Sequence, residues 1–230
     1  ASRGVRRIGI EGEHLSYSRV ETIRTAFLQV CGGGDIPSTS GIVETCRMTK
    51  DRHELDRIEL ACSLADRAMA HLRECLTPGM TEGEAAWLAE RWLRENGSGA
   101  VPFPVIVASG PNSAIPHARP SDRVIQEGEP VVVDLGACVE GYCSDLTRTL
   151  FLAHMPAEYE CLYHTVLSAH RAAFHGIRAG LKAAEADELA RLVVRASPYD
   201  GLFSHGLGHG VGLEIHEAPT LNARSTDVLA

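Results

Sequence analysis

No stretch of the chain approaches the roughly 18 consecutive apolar residues that a membrane-spanning helix requires. Its opening, "ASRGVRRIGIEGEH", is charged and lacks the apolar core of a secretory signal. These absences argue against a membrane partner, and the expected compartment is the cytosol. A basic stripe is missing as well. The 22 Lys and Arg are scattered among 30 Asp and Glu for a net charge of −8, which argues against nucleic acid as a partner. The seven cysteines are odd in number and form no CxxC pair, so reduced, mostly buried thiols are expected, although Cys138 and Cys143 lie close in sequence. What is present is ordinary for a folded, soluble protein: 44% apolar and 23% charged residues over 230 positions, enough for one substantial core or two smaller ones. The chain starts at Ala1 instead of Met and stops at "STDVLA" without an evident closing element, so further sequence is expected at both ends.

Residues 5–10, "VRRIGI", read as a short strand, and Val20, Ile23, Phe27 and Val30 follow at helical spacing up to "CGGG". A linker or domain boundary is expected near residues 35–50, where turn residues surround a short apolar run. Beyond it, Leu55, Ile58, Cys62, Ala65, Met69, Leu72 and Leu76 alternate spacings of three and four. They predict a long helix with one buried face, capped by Asp51 and Glu54 and stopped at Pro78–Gly79. A second helix opens on Thr81 and Glu84 and runs through Leu88 and Trp92 to Asn96–Gly97. "GEPVVVDLGACVEGYCSDLTRTLFL" is β-branched at both ends with Gly141 near its middle, the pattern of a hairpin. Helices from about Pro156 to Ile177 and from about Ala184 to Ala196 complete the pattern.

These elements echo one another. "TPGMTEGEAAWLAE" and "RAGLKAAEADELAR" align at an offset of 101, matching Gly79 with Gly180, Glu84 with Glu185, Leu88 with Leu189 and Ala89 with Ala190. "IPHARP" resembles "EIHEAP" at an offset of 99, which pairs His117 with His216. An internal duplication of about 100 residues predicts two similar α+β halves with a site at their junction.

Within the hairpin, Asp134 and Asp145 flank a midpoint at Val139–Glu140 and are expected roughly opposite each other on adjacent strands. Facing carboxylates repel, and a divalent cation between them compensates; carboxylates with imidazole suit Mn, Co, Zn or Fe. The alternative is that Asp134 begins a turn and Asp145 pairs with Arg148. In "SHGLGHGVGLEIHEAP", the glycines at 206, 208, 210 and 212 argue for a strand, on which His205 and His209 share a face. They would lie about 13 Å apart, too far to hold one ion together, so one ligates and the other has a different role. The remaining histidines, His14, His53, His71, His154, His164, His170 and His175, read as surface or core residues.

"VVVDLGACVEGYCSDLTRTL", followed about sixty residues later by "HGLGHGVGLEIHEAP", resembles the pita-bread metallopeptidases, a family that includes prolidase, aminopeptidase P, methionine aminopeptidase and the non-metal creatinase. The resemblance runs from about Val43 to the end. "GYCSDLTRT" and "ASGPNSAIPHARP" are similar to the Xaa-Pro peptidase branch, and "GIEGEHLSYSRVETI" resembles the tail of that branch's N-terminal domain. The fold implied is α+β, the pita-bread fold with pseudo-twofold duplicated halves and an incomplete C-terminal part. The domains implied are a remnant of an N-terminal α/β domain plus linker over residues 1–45 and the peptidase domain over 46–230. Two divalent metal ions (Mn, Co or Zn) are implied, with Asp134 on one, Asp145 bridging both and His209 on the other. His117 matches the histidine near the scissile nitrogen, His216 the one that hydrogen-bonds the substrate carbonyl, and His205 one lining the side that receives proline. The implied reaction is hydrolysis of Xaa-Pro bonds in dipeptides or at peptide N-termini by a metal-bridging water. A homodimer and a cytoplasmic setting come with it.

The family completes its metal site with two glutamates after the "IHEAP" segment, the first also the general base. Neither precedes Ala230, and Glu214 and Glu217 do not match them on the family pattern. The expectation is therefore a piece of a longer enzyme; the alternatives are a non-catalytic or creatinase-like relative on the same fold, or an inactive fragment lacking the two glutamate ligands.

Overall fold

The computed structural model describes residues 4–230. The chain divides into two units, the first ending at Arg47 and the second spanning Met48–Ala230. In the first unit, β1 (Ile10–Glu11) leads through α1 (Tyr17–Cys31) to β2 (Ser38–Thr39), which pairs with β1 in parallel. The strand expected over residues 5–10 is shorter and later, with Arg7 making only an isolated bridge to Asp35. Gly32 ends α1 at φ 67°, donating its N–H to the Leu28 carbonyl. A short α2 (Ile42–Met48) follows, so residues 35–50 carry a strand and a helix.

The second unit opens with α3 (Arg52–Cys75) and α4 (Glu82–Glu95), and both expected capping boxes are formed, Asp51 with Glu54 and Thr81 with Glu84. The expected stripe holds at Ala65, Met69, Leu72 and Leu76, all buried, and fails towards the start of α3. The buried face within the helix also takes in Ala61, Leu64 and Ala68, whereas Leu55 and Cys62 face solvent. The three alanines let α4 approach with its own Ala85, Ala86 and Ala89, a contact that a pattern weighted towards large apolar residues overlooks.

Against these helices lies a sheet ordered β3 (Ile106–Ser109), β4 (Pro130–Leu135) and β7 (Leu146–Phe151), with the small hairpin β5 (Cys138–Val139) and β6 (Tyr142–Cys143) inserted between its last two strands. Both sheet pairings are antiparallel. Val131, Val133 and Leu135 of β4 are fully buried in the core with α3 and α4. Strand alternation therefore sends Asp134 to the opposite face. The hairpin turn is Glu140–Gly141, with φ 49° and 91°, and it sets the register Val139↔Tyr142 and Cys138↔Cys143. Continued along the strands, that register pairs Asp134 with Thr147. Asp145 is thus two residues short of facing Asp134, a diagonal neighbour and not its opposite, because the turn is centred one residue later than the sequence midpoint.

The second half repeats the first. Helices α5 (Ala157–Gly176) and α6 (Ala183–Arg195) pack through Ala169, Ala173 and Ala190, and β8 (Gly208–Gly210) pairs antiparallel with β9 (Glu217–Leu221). The repeat reaches individual hydrogen bonds. Gly79 N–H donates to Ile125 O and Gly180 N–H to Leu229 O; Glu82 N–H donates to Arg123 O and Ala183 N–H to Asp227 O. Both glycines take positive φ, 96° and 84°.

None of the seven cysteines is in a disulfide, but the expectation that they are mostly buried is corrected, since only Cys143 is buried and Cys46, Cys62 and Cys161 are exposed. Among the described residues, no helix is long and apolar enough to cross a membrane.

The corrected face of α3 predicts the outcome of two truncations. Leu72→Ala, at a fully buried position, is expected to destabilise the chain by about 2–5 kcal/mol in urea unfolding. Leu55→Ala is expected to stay within about 0.5 kcal/mol of the parent. Equal losses would contradict the assigned face.

Candidate metal centre

The face of β4 turned away from the helices carries Asp134 into an unusual setting. Its Oδ1 atom is buried and has no hydrogen-bond partner, the one such side-chain atom among the described residues. Burial raises the carboxyl's pKa above its ordinary value; a hydrogen bond from Thr147 opposes this, and the nearby Asp145 carboxylate adds to it. His117 contributes a smaller opposing effect, which places that ring within electrostatic reach of Asp134. His117 itself is exposed and takes φ 57° in the turn "PHA", a strained backbone for a non-glycine residue.

Asp145 faces His209, with Oδ2 lying 3.4 Å from Nε2. Arg148 does not engage the acid; its Nη1 donates to the Thr147 carbonyl at 2.8 Å. On the other side of the His209 ring, Nδ1 is 2.9 Å from the Gly210 carbonyl, so the neutral ring carries its proton there and turns a lone pair towards Asp145. A lone pair and a carboxylate facing each other call for a proton or a cation between them. A β-bulge at His209/Gly210 shifts the β8–β9 register and aims the imidazole. The His216 ring packs edge-on against His209, with centroids 4.3 Å apart at 70°.

The segment carrying these histidines is held on the hairpin by its backbone, Cys143 N–H donating to Gly212 O at 2.7 Å. Close approach explains two of its glycines. A side chain at Gly210 would meet the Ala218 carbonyl at 2.7 Å, and one at Gly212 would collide with the Glu217 carboxylate. That carboxylate is buried in an ion pair with Lys50 at 2.8 Å and accepts from the Glu214 N–H at 3.1 Å. Neither Lys50 nor this role of Glu217 stands out in the sequence, because the two are far apart along the chain. Nearby, burial pushes the Cys143 thiol up to about 11, so it remains protonated beside the carboxylates.

The structure thus gathers Asp134, Asp145, His209 and His216, with His117 at the edge. His205 stands apart: its ring is edge-on to Phe203 at 4.8 Å and its Nδ1 donates to the Gly206 carbonyl at 2.7 Å. It lies outside β8, so the expectation that it shares a strand face with His209 is corrected. Among the described residues, no three His, Cys, Asp or Glu side chains already close around one point as a cage. The donor set nevertheless fits a divalent cation of the imidazole- and carboxylate-binding type, since the orphaned Oδ1 and the lone pair of His209 are acceptors in need of positive charge.

The raised Asp134 pKa has a definite sign. A folded chain that holds this proton to higher pH than the unfolded chain loses stability as pH rises through the folded value. Without added metal, Asp134→Asn is expected to unfold at higher temperature than the parent at neutral pH. The difference should vanish once the pH falls below about 3.9, the ordinary aspartate value. A difference independent of pH would contradict the assignment.

Residues 56–230 match the model of metallopeptidase family M24. The Xaa-Pro dipeptidase of Pyrococcus furiosus is 37% identical over 222 residues, covering 96% of this chain and 62% of that protein. The chain therefore spans less than two thirds of the length of the curated relatives it matches. Among solved structures, a Xaa-Pro dipeptidase from Bacillus anthracis superposes with a TM-score of 0.92 at 38% identity, covering 98% of this chain and 62% of that one. An X-Pro aminopeptidase from Thermotoga maritima gives 0.91 at 35% identity, covering 98% and 63%. The duplicated α+β halves are those of the pita-bread fold these neighbours share, and the chain belongs to metallopeptidase family M24.

Proposed function

We propose that the protein of which this chain is a part hydrolyses Xaa-Pro bonds, in dipeptides or at peptide N-termini, with two divalent cations held by Asp134, Asp145 and His209. The observation that carries the reading is the buried, unpartnered Oδ1 of Asp134 beside a second carboxylate whose Oδ2 faces Nε2 of His209. The names of the relatives point to the same substrates. Residues 46–230 form the peptidase part, and residues 1–45 the end of a preceding α/β domain and its linker. Cytoplasmic residence and a homodimer, checked by light scattering, belong to the same reading.

When bound, divalent cations supply Lewis acidity, lowering the pKa of water and polarising a carbonyl. The chain's own residues do the rest. In this reading His216, which packs on His209, donates a hydrogen bond to the substrate carbonyl oxygen as it becomes tetrahedral. His117 lies beside the scissile nitrogen and His205 lines the side that receives proline. A proline amide lacks the N–H that general peptidases use, which makes a dedicated site chemically sensible. Glu217 is not assigned the general-base role in this reading, since it is committed to Lys50 and to the Glu214 N–H.

In the full-length protein, Ala-Pro and a longer Xaa-Pro peptide are expected to be cleaved with manganese present and to survive after exhaustive chelation. His216→Ala should lower kcat by about 10²–10³ with KM changed much less. Full activity after chelation would overturn the proposal.

A further inference from the structure

Two buried carboxylates that the proposed chemistry does not use each tie down a loop bearing histidines of the site. Glu82, fully buried in the first turn of α4, accepts from Ser109 N–H at 2.7 Å and Ser109 Oγ at 2.9 Å. It also accepts from Ser121 Oγ at 2.7 Å, Ser121 N–H at 3.2 Å and Asn112 Nδ2 at 3.1 and 3.2 Å. One carboxylate therefore clamps both ends of residues 109–121, the loop on which His117 sits in its strained turn. Burial alone would raise the Glu82 pKa; the bonds from Ser121, Ser109 and Asn112 outweigh it and hold the group below its ordinary value, so it stays charged. Ser109, Asn112 and Ser121 of "ASGPNSAIPHARPS" thereby find their use, as the donors of this clamp.

In the other half, Asp187 of α6 is equally buried. It accepts from the Leu207 N–H at 2.9 Å and pairs with Arg191. Arg191 in turn donates to the carbonyls of Phe203 and His205, and its guanidinium lies over the Phe203 ring at 4.4 Å. This second clamp fixes residues 203–207, which carry His205 and lead directly into His209. By the offset of 101, Glu82 corresponds to Ala183 and not to Asp187. The two halves reach the same arrangement from different helix positions, which argues for a requirement at the loop and not for inheritance of one residue.

We infer that Glu82 and Asp187 are positioning residues, each setting the histidines of its own half: Glu82 for His117, Asp187 with Arg191 for His205 and His209. The importance of this for catalysis rests on the proposed peptidase reading; the structural claim does not. A surface-neutral scaffold role would lower stability everywhere, whereas positioning predicts effects confined to one half. The test is NMR of the full-length protein with labelled histidine, combined with amide hydrogen exchange. In Glu82→Gln, the His117 ring signals should shift and exchange of the Ser109 and Ser121 amides should rise by about tenfold or more, with the His205 and His209 signals unmoved. Asp187→Asn should give the converse. If Glu82→Gln does not fold, Ser121→Ala combined with Asn112→Ala removes two side-chain donors and leaves the carboxylate, and the same local pattern is expected. Histidine signals of both halves moving together, or an unmoved His117 in the Glu82 or donor variants, would overturn the inference. With metal and Ala-Pro, Glu82→Gln should lower kcat at least tenfold with KM less affected. An inactive parent protein would sink the peptidase reading and leave the NMR result standing.

Discussion

The arrangement of the site depends on one alternation in β4. Val131, Val133 and Leu135 are fully buried against α3 and α4, and removing any of them from that core would expose apolar area worth roughly 1.5–3 kcal/mol per side chain. That burial fixes which way the strand faces, and the residue between them has no choice of side. Asp134 is delivered to the opposite face, where its Oδ1 is shut off from solvent without a protein donor. The apolar face of the strand thus holds a carboxylate in a position it would not take by itself.

The other buried acids show how differently the fold treats groups with a structural task. Glu82 has six short contacts from three residues, Asp187 has Arg191 and a backbone N–H, and Glu217 has Lys50. Buried charges persist where they are paired and hydrogen-bonded. The Oδ1 of Asp134 breaks that rule, and a second carboxylate, Asp145, lies beside it facing His209. A polar group left unsatisfied amid satisfied ones marks the place where something from outside the chain completes the structure.

Much of this was legible in the sequence because it is local or periodic. Asp51 with Glu54 and Thr81 with Glu84 announce helix starts within four residues, and both boxes form. The echo at an offset of 101 reappears as matching hydrogen bonds from Gly79 and Gly180. The same reading brought out Asp134, Asp145, His209 and His216, which the fold does bring into one neighbourhood. It missed what depends on partners distant in the chain. The face of α3 is chosen by alanines that let α4 come close, and no periodicity of large residues reports that. The register of the hairpin follows from positive φ at both Glu140 and Gly141, so counting from the middle misplaces Asp145 by two residues. Glu82 looks like one more acid in the first turn of a helix until Ser109 and Ser121 are seen around it.

The central claim is that the buried, unpartnered Oδ1 of Asp134 is completed by a cation. Its most direct test is calorimetric titration of the full-length protein with manganese, comparing the parent with Asp134→Asn at neutral pH. The account predicts saturable binding in the parent and its loss or severe weakening in the variant, with the variant still folded. Equal binding by both proteins would contradict it.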